Sequence, residues 1–113
     1  MLQSLIITNG GSMKNYIPTP TISEIIIEEF LKPLDISAYR LAKDIAVPVS
    51  RIQAILKDKR KITADTSLRL AKYFNVSDDF FLNLQTEIDI RNEKIRLEHT
   101  IQNIQSVATT ATA

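Results

Sequence analysis

The sequence predicts an all-α fold, and three observations carry that reading. Ile, Leu, Ala, Lys and Glu are plentiful in a chain of 113 residues with only 2 Gly and 4 Pro, a composition that favours long helices joined by short turns and argues against an all-β sandwich. Apolar residues recur three and four positions apart in successive segments, as on a helix with one buried face. Helix starts and stops fall between these segments: Ser37, Thr63 and Ser77 as N-caps, Pro33 and Pro48 as punctuation. With 44% hydrophobic and 24% charged residues, the chain suits one small globular domain.

Residues 1–12, ending in Gly10-Gly11-Ser12 before Met13-Lys14, read as a flexible arm, a cloning remnant or sequence ahead of a later start. They carry no part of the fold argument, and the arm as a whole is set at residues 1–17. Its Leu5-Ile6-Ile7 stretch is too short and lacks the basic flank of a secretion signal. After Pro18 and Pro20, Ile22, Ile25, Ile26 and Phe30 predict a first helix over 22–32, stopped by Pro33. Ser37 caps a second over 38–45, with Leu41, Ala42 and Ile45 inward. Pro48 opens a third over 48–57 as its first helical residue, with Ile52, Ile55 and Leu56 inward. Thr63 caps a fourth, with Asp65 favourably placed in its first turn and Leu68, Ala71 and Phe74 as core, Leu70 alongside. Ser77 caps a fifth with Asp78 and Asp79 in its first turn, anchored by Phe80, Phe81 and Leu84. Tyr73 and the neighbouring Phe residues read as core rather than as a base-stacking platform.

Beyond this unit, set at residues 18–86, the segment 87–113 reads as a C-terminal helix that frays from Thr109. Ile90, Lys94, Leu97, Ile101, Ile104 and Ala108 follow a/d spacing, with Lys94 the misfit. So narrow a strip needs a covering surface, either its own domain or a second copy of the chain.

Charge is informative by its distribution. The formal net charge is only +1, yet Ser37 to Lys61 holds seven basic residues (Arg40, Lys43, Arg51, Lys57, Lys59, Arg60, Lys61) against Asp44 and Asp58, while the flanking segments are acidic. Such a patch attracts a polyanion through phosphate neutralisation and counterion release. Cys is absent and His99 is the single histidine. Disulfides, thiolate zinc sites and cysteine nucleophiles are thereby excluded, and a reduced cytoplasmic setting is expected. His99 sits among charged residues as a solvated helix position, and Ser50 has no histidine within helical reach to make it a nucleophile. The sequence calls for no cofactor, no metal and no catalytic residue. No apolar run approaches the roughly 18–20 residues that span a bilayer.

The second and third helices, separated by a short turn, form a helix-turn-helix arrangement. In this device the second helix enters the roughly 12 Å wide major groove while the first crosses the backbone. Val49 is suited to a thymine methyl, Ser50 to donating or accepting, and Arg51 to guanine or a phosphate. Gln53, Ala54 and Lys57 continue that face. Lys59, Arg60 and Lys61 form a loop suited to phosphates, with Ser37 a further donor.

The run Leu41-Ala42-Lys43-Asp44-Ile45-Ala46-Val47-Pro48 with Arg51-Ile52, the run from Lys59-Arg60-Lys61-Ile62-Thr63 to Leu70-Ala71-Lys72-Tyr73-Phe74, and Phe81-Leu82-Asn83-Leu84-Gln85 closely resemble the HigA-type antitoxins, also labelled VapI, within the lambda-repressor-like helix-turn-helix group. The resemblance spans about residues 18–90. It implies a five-helix domain with a C-terminal helical extension. It also implies a dimer that represses its own operon on a palindromic double-stranded operator and neutralises a HigB-type, messenger-RNA-cleaving toxin. The DNA-reading role then falls on Val49, Ser50, Arg51 and Ala54, and the phosphate role on Ser37, Arg40, Lys57, Lys59, Arg60 and Lys61. Two features depart from the pattern. Ala46 stands where the turn usually has Gly, so either a left-handed residue is strained by about 1 kcal/mol or the turn differs. The usual His-Pro-Gly-Glu opening of the first helix reads Thr21-Ile22-Ser23-Glu24 and keeps only the Glu. The resemblance assigns no toxin-contact residues. The alternative within the same fold is a free-standing repressor without a toxin. From another class comes an interaction protein that uses only its C-terminal stripe.

Overall fold

The computed structural model describes residues 18–107, and every regular element among them is helical. The arm at 1–17, and the end of the C-terminal segment with Ala108 of the predicted stripe, lie outside the described residues.

Thr21 opens the first helix with a capping box. Its side chain accepts from Glu24 N–H at 3.1 Å, and Glu24 returns the contact to Thr21 N–H at 3.0 Å. The retained Glu24 therefore satisfies helix-end donors. Helix α1 runs continuously over 22–34, as an α-turn at Ile22–Ile25, a π-helical stretch at Ile26–Leu31 and a closing turn at Lys32–Leu34. The expected stop at Pro33 is thus passed by a turn. A proline ring inside an α-helix collides with the carbonyl four residues earlier. Here the preceding turn is widened, with Lys32 N–H bonded to Ile27 O. Widening also puts Ile26 and Leu31, five apart, together on the buried side.

The remaining helices are α2 (Ala38–Asp44), α3 (Val49–Leu56), α4 (Ala64–Phe74), α5 (Phe80–Arg96) and α6 (Glu98–Gln102). Ser37 and Thr63 cap α2 and α4 as expected. Pro48 is the residue before α3, in extended conformation, rather than its first helical residue. Ser77 does not cap α5: its carbonyl accepts from Phe80 N–H at 3.0 Å in a tight turn, and the helix begins only at Phe80. Helix α5 then continues without a break past residues 86 and 87 until Leu97 interrupts it.

Ile22, Ile25, Ile26, Leu41, Ile45, Ile52, Ile55, Leu70, Phe81, Leu84 and Ile88 form one core, drawing on α1 to α5. All 4 phenylalanines meet in it. Phe81 is fully buried, with ring centroids 5.1 Å from Phe30, 5.0 Å from Phe80 and 6.1 Å from Phe74. One expected core residue is misplaced. Leu68 is 51% exposed, whereas Thr66, Ser67, Leu70 and Ala71 face inward. The inward face of α4 begins with hydroxyls, and Ser67 is satisfied there by donating to Asp78 O at 2.8 Å and accepting from Leu82 N–H at 3.2 Å. An apolar-only pattern reads that face in the wrong phase.

Asp35, Ala46, Asp58 and Asn75 follow α1 to α4 in turn, all with left-handed backbone and none a glycine. After α2, Val47 N–H bonds Ala42 O at 3.0 Å and Ala46 N–H bonds Lys43 O at 3.2 Å, the paired bonds of a Schellman ending. Ala46, at φ 61°, therefore takes the strained alternative rather than a different turn. Replacing Ala46 with Gly is expected to raise stability by about 1 kcal/mol, because alanine pays for the close approach of Cβ to the carbonyl. Urea unfolding checks this: the midpoint rises at constant slope if strain is present, and stays put or falls if it is not.

Candidate nucleic-acid interface

Helices α2 and α3 pack through Leu41, Ala42, Ile45, Ile52 and Ile55, all buried. With its inward residues fixed at 52 and 55, α3 must turn residues 50, 53 and 57 outward. Ser50, Gln53 and Lys57 are indeed exposed, one stripe along a helix about 12 Å long. Val49 and Ala54 flank the stripe half-buried, and Val49 also packs against the core. Gln53 is the residue that a choice limited to Val49, Ser50, Arg51 and Ala54 omits, although its place three residues after Ser50 gives it away. Its amide carries the donor and acceptor pair that matches adenine.

Arg51, expected as an outward reader, sits differently. Its side chain is only 23% exposed, and Nη1 donates to Asp65 Oδ1 of α4 at 2.9 Å. The same oxygen accepts from Arg69 Nε at 2.8 Å, and Arg69 Nη1 donates to the carbonyls of Ile45 at 2.8 Å and Ala46 at 3.3 Å in the turn. One carboxylate thus ties the first turn of α3 to α4, and through Arg69 to the turn itself. Hydrogen bonds from Arg69 and Arg51 hold the Asp65 carboxyl below its ordinary range. A second tie fixes α2, where Tyr73 of α4 donates to Asp44 Oδ2 at 2.6 Å. This bond, joined by Arg40, lowers the Asp44 pKa, and it raises that of Tyr73.

The basic loop is anchored from behind. Asp58, left-handed at the end of α3, accepts at Oδ2 from Ser23 Oγ of α1 at 2.8 Å, and Lys59 N–H bonds Ala54 O at 2.8 Å. Lys57, Lys59 and Arg60 project from this anchored loop into solvent. Lys61, expected beside them on the phosphates, is exposed and makes a surface pair with Asp89 of α5 at 2.8 Å. At the other edge, Arg40 makes an exposed pair with Asp44 at 3.3 Å. Ser37 Oγ accepts from Arg40 N–H at 3.1 Å, which leaves its hydroxyl hydrogen to donate. Exposed pairs of this kind hold their partners weakly. Among the described residues no helix is long and apolar enough to cross a membrane.

Together these elements define a helix-turn-helix regulator with a polar, positively flanked recognition helix. The sequence profile of the helix-turn-helix family matches residues 27–81. The chain is 46% identical over 78 residues to Virulence-associated protein I of Dichelobacter nodosus, spanning 69% of this chain and 72% of that protein. Among solved structures, an addiction module antidote protein of the HigA family from Coxiella burnetii superposes with a TM-score of 0.73 at 38% identity, covering 81% of this chain and 100% of that one. Pseudomonas aeruginosa antitoxin HigA, solved with the higBA promoter, gives a TM-score of 0.72 at 31% identity, with 81% and 100% covered. The chain belongs to the HigA-type helix-turn-helix antitoxins.

Proposed function

We infer that this antitoxin represses its own operon as a dimer in the cytoplasm and neutralises a HigB-type, messenger-RNA-cleaving toxin. One observation carries the DNA half: the exposed Ser50-Gln53-Lys57 stripe on a helix whose opposite side is locked in the core. In this reading α3 lies in the major groove. Ser50, Gln53 and Arg51 meet base edges, Val49 and Ala54 offer apolar contact, and Ser37, Arg40, Lys57, Lys59, Arg60 and Lys61 meet phosphates. The HigA of P. aeruginosa, solved with a promoter, supports it. The dimer reading rests on exposed apolar side chains of the C-terminal segment, where Ile90 of α5, Ile101 of α6 and Ile104 beyond it are 51%, 48% and 68% exposed; the break at Leu97 and the end of α6 at Gln102 divide the single stripe expected there. Two copies would place their α3 helices on half-sites about 34 Å apart, or a multiple of that.

A band-shift titration with the DNA upstream of its reading frame, against a scrambled duplex, tests the DNA half. Preferential binding with a steep loss in salt is the expected result, and equal binding to both duplexes would overturn it. Co-expression with the adjacent reading frame tests the toxin half. Growth rescue and co-purification are expected; failure of both, with operator binding intact, leaves a free-standing repressor.

A further inference from the structure

The geometry points to Asp65 as a positioning residue for DNA specificity: it buttresses the Arg51 guanidinium from behind, so that the arginine meets the duplex already aimed. This rests on the operator-binding reading above.

Arg51 lies in the first turn of α3, next to the exposed Ser50, yet its side chain leans against α4 and is held at Nη1 by Asp65. Its Nε is buried and is the one buried side-chain nitrogen or oxygen without a hydrogen-bond partner among the described residues. Nη2 is not among the buried unpartnered atoms and makes no hydrogen bond among the described residues, so it reaches the surface. Nη2 and the second hydrogen of Nη1 are left for an acceptor outside the chain. A guanidinium packed at Nε and pinned at Nη1 has lost most of its rotamer freedom before binding, so less is lost when it meets guanine. Charge agrees with a buttress rather than a mask. Asp65 sits between Arg51 and Arg69, so the three side chains together remain positive and still attract a polyanion. Arg69 in turn grips the carbonyls of Ile45 and Ala46, so the aim of Arg51 is referenced to the turn that sets the angle between α2 and α3.

The test compares Asp65→Asn, Arg51→Ala and the double variant with the unaltered full-length chain. Affinity is measured for the duplex upstream of its reading frame and for a scrambled duplex of equal length, and the ratio of the two is the discrimination. Asp65→Asn is expected to lower discrimination about tenfold while binding to the scrambled duplex holds or rises. The double variant is expected to discriminate no worse than Arg51→Ala, because Asp65 acts through Arg51. The inference is overturned if Asp65→Asn weakens both duplexes equally, tightens operator binding, leaves the ratio unchanged, or adds its effect to that of Arg51→Ala. Arg51→Lys, which keeps the charge but not the fork, carries the test should Asp65→Asn fail to fold. It is expected to lose discrimination at unchanged scrambled-duplex affinity, and retained discrimination would overturn the inference. If the unaltered chain itself fails to discriminate, the operator-binding reading has failed instead.

Discussion

Replacing Lys57, Lys59 and Arg60 together with alanine is expected to flatten the salt dependence of DNA binding. Each phosphate contact contributes about 0.9 to the slope of log affinity against log salt, so three of them contribute about 2.7. Between about 50 and 200 mM salt the variant should then lose roughly 40-fold less affinity than the unaltered chain. Discrimination between the operator and a scrambled duplex should hardly change, since phosphates position and bases specify. The loop is suited to this test because its backbone is fixed by Ser23 and by the end of α3, and the three side chains point into solvent. Their removal is expected to leave the fold intact, since all three are exposed. An unchanged slope would place the duplex elsewhere on the molecule. Adding Lys61→Ala, a residue whose exposed pair with Asp89 holds the ammonium only weakly, is expected to lower the slope by about a further 0.9.

The second large effect falls on stability. Phe81→Ala is expected to destabilise the domain by about 3–5 kcal/mol, the usual result of emptying a buried aromatic site. Domains of this kind hold only about 5–15 kcal/mol in all. Phe81 is fully buried, and its ring is within 5.1 Å of Phe30 and 5.0 Å of Phe80. One substitution thus disturbs the contacts that join α1 to α4 and α5. Urea unfolding should show a much lower midpoint, with operator binding lost wherever the variant is unfolded and retained under stabilising conditions. A loss under about 1 kcal/mol would mean that neighbouring rings close the gap.

What the sequence made legible, and what it did not, divides along physical lines. The α2–turn–α3 unit could be read because its signals are local: Ser37 as cap, Pro48 marking the start of α3 to within one residue, and buried residues at helical spacing. The outward place of Leu68 escapes an apolar count because Thr66 and Ser67 bury hydroxyls, which find their partners across the core. The extension of α1 past Pro33 is invisible in composition, because a widened turn leaves no mark there. At the interface, periodicity puts Ser50, Gln53 and Lys57 on the outward face, whereas the base-reading set drawn from the family resemblance leaves Gln53 out. The hold of Asp65 on Arg51 joins residues 14 positions apart, and that of Ser23 on Asp58 spans 35, so neither belongs to any local pattern. Tertiary geometry alone makes Arg51 a braced group rather than an open one.

The widened turn in α1 has a bearing on how related chains should be aligned. A π-turn is a single extra residue carried inside a helix, so a homologue one residue shorter between positions 26 and 31 could wind that stretch as ordinary α-helix while presenting equivalent side chains at both ends. A one-position gap there would then mark a change of winding rather than lost structure, and comparisons that forbid it would slip the opening turn, with Ile22 and Ile25, out of step.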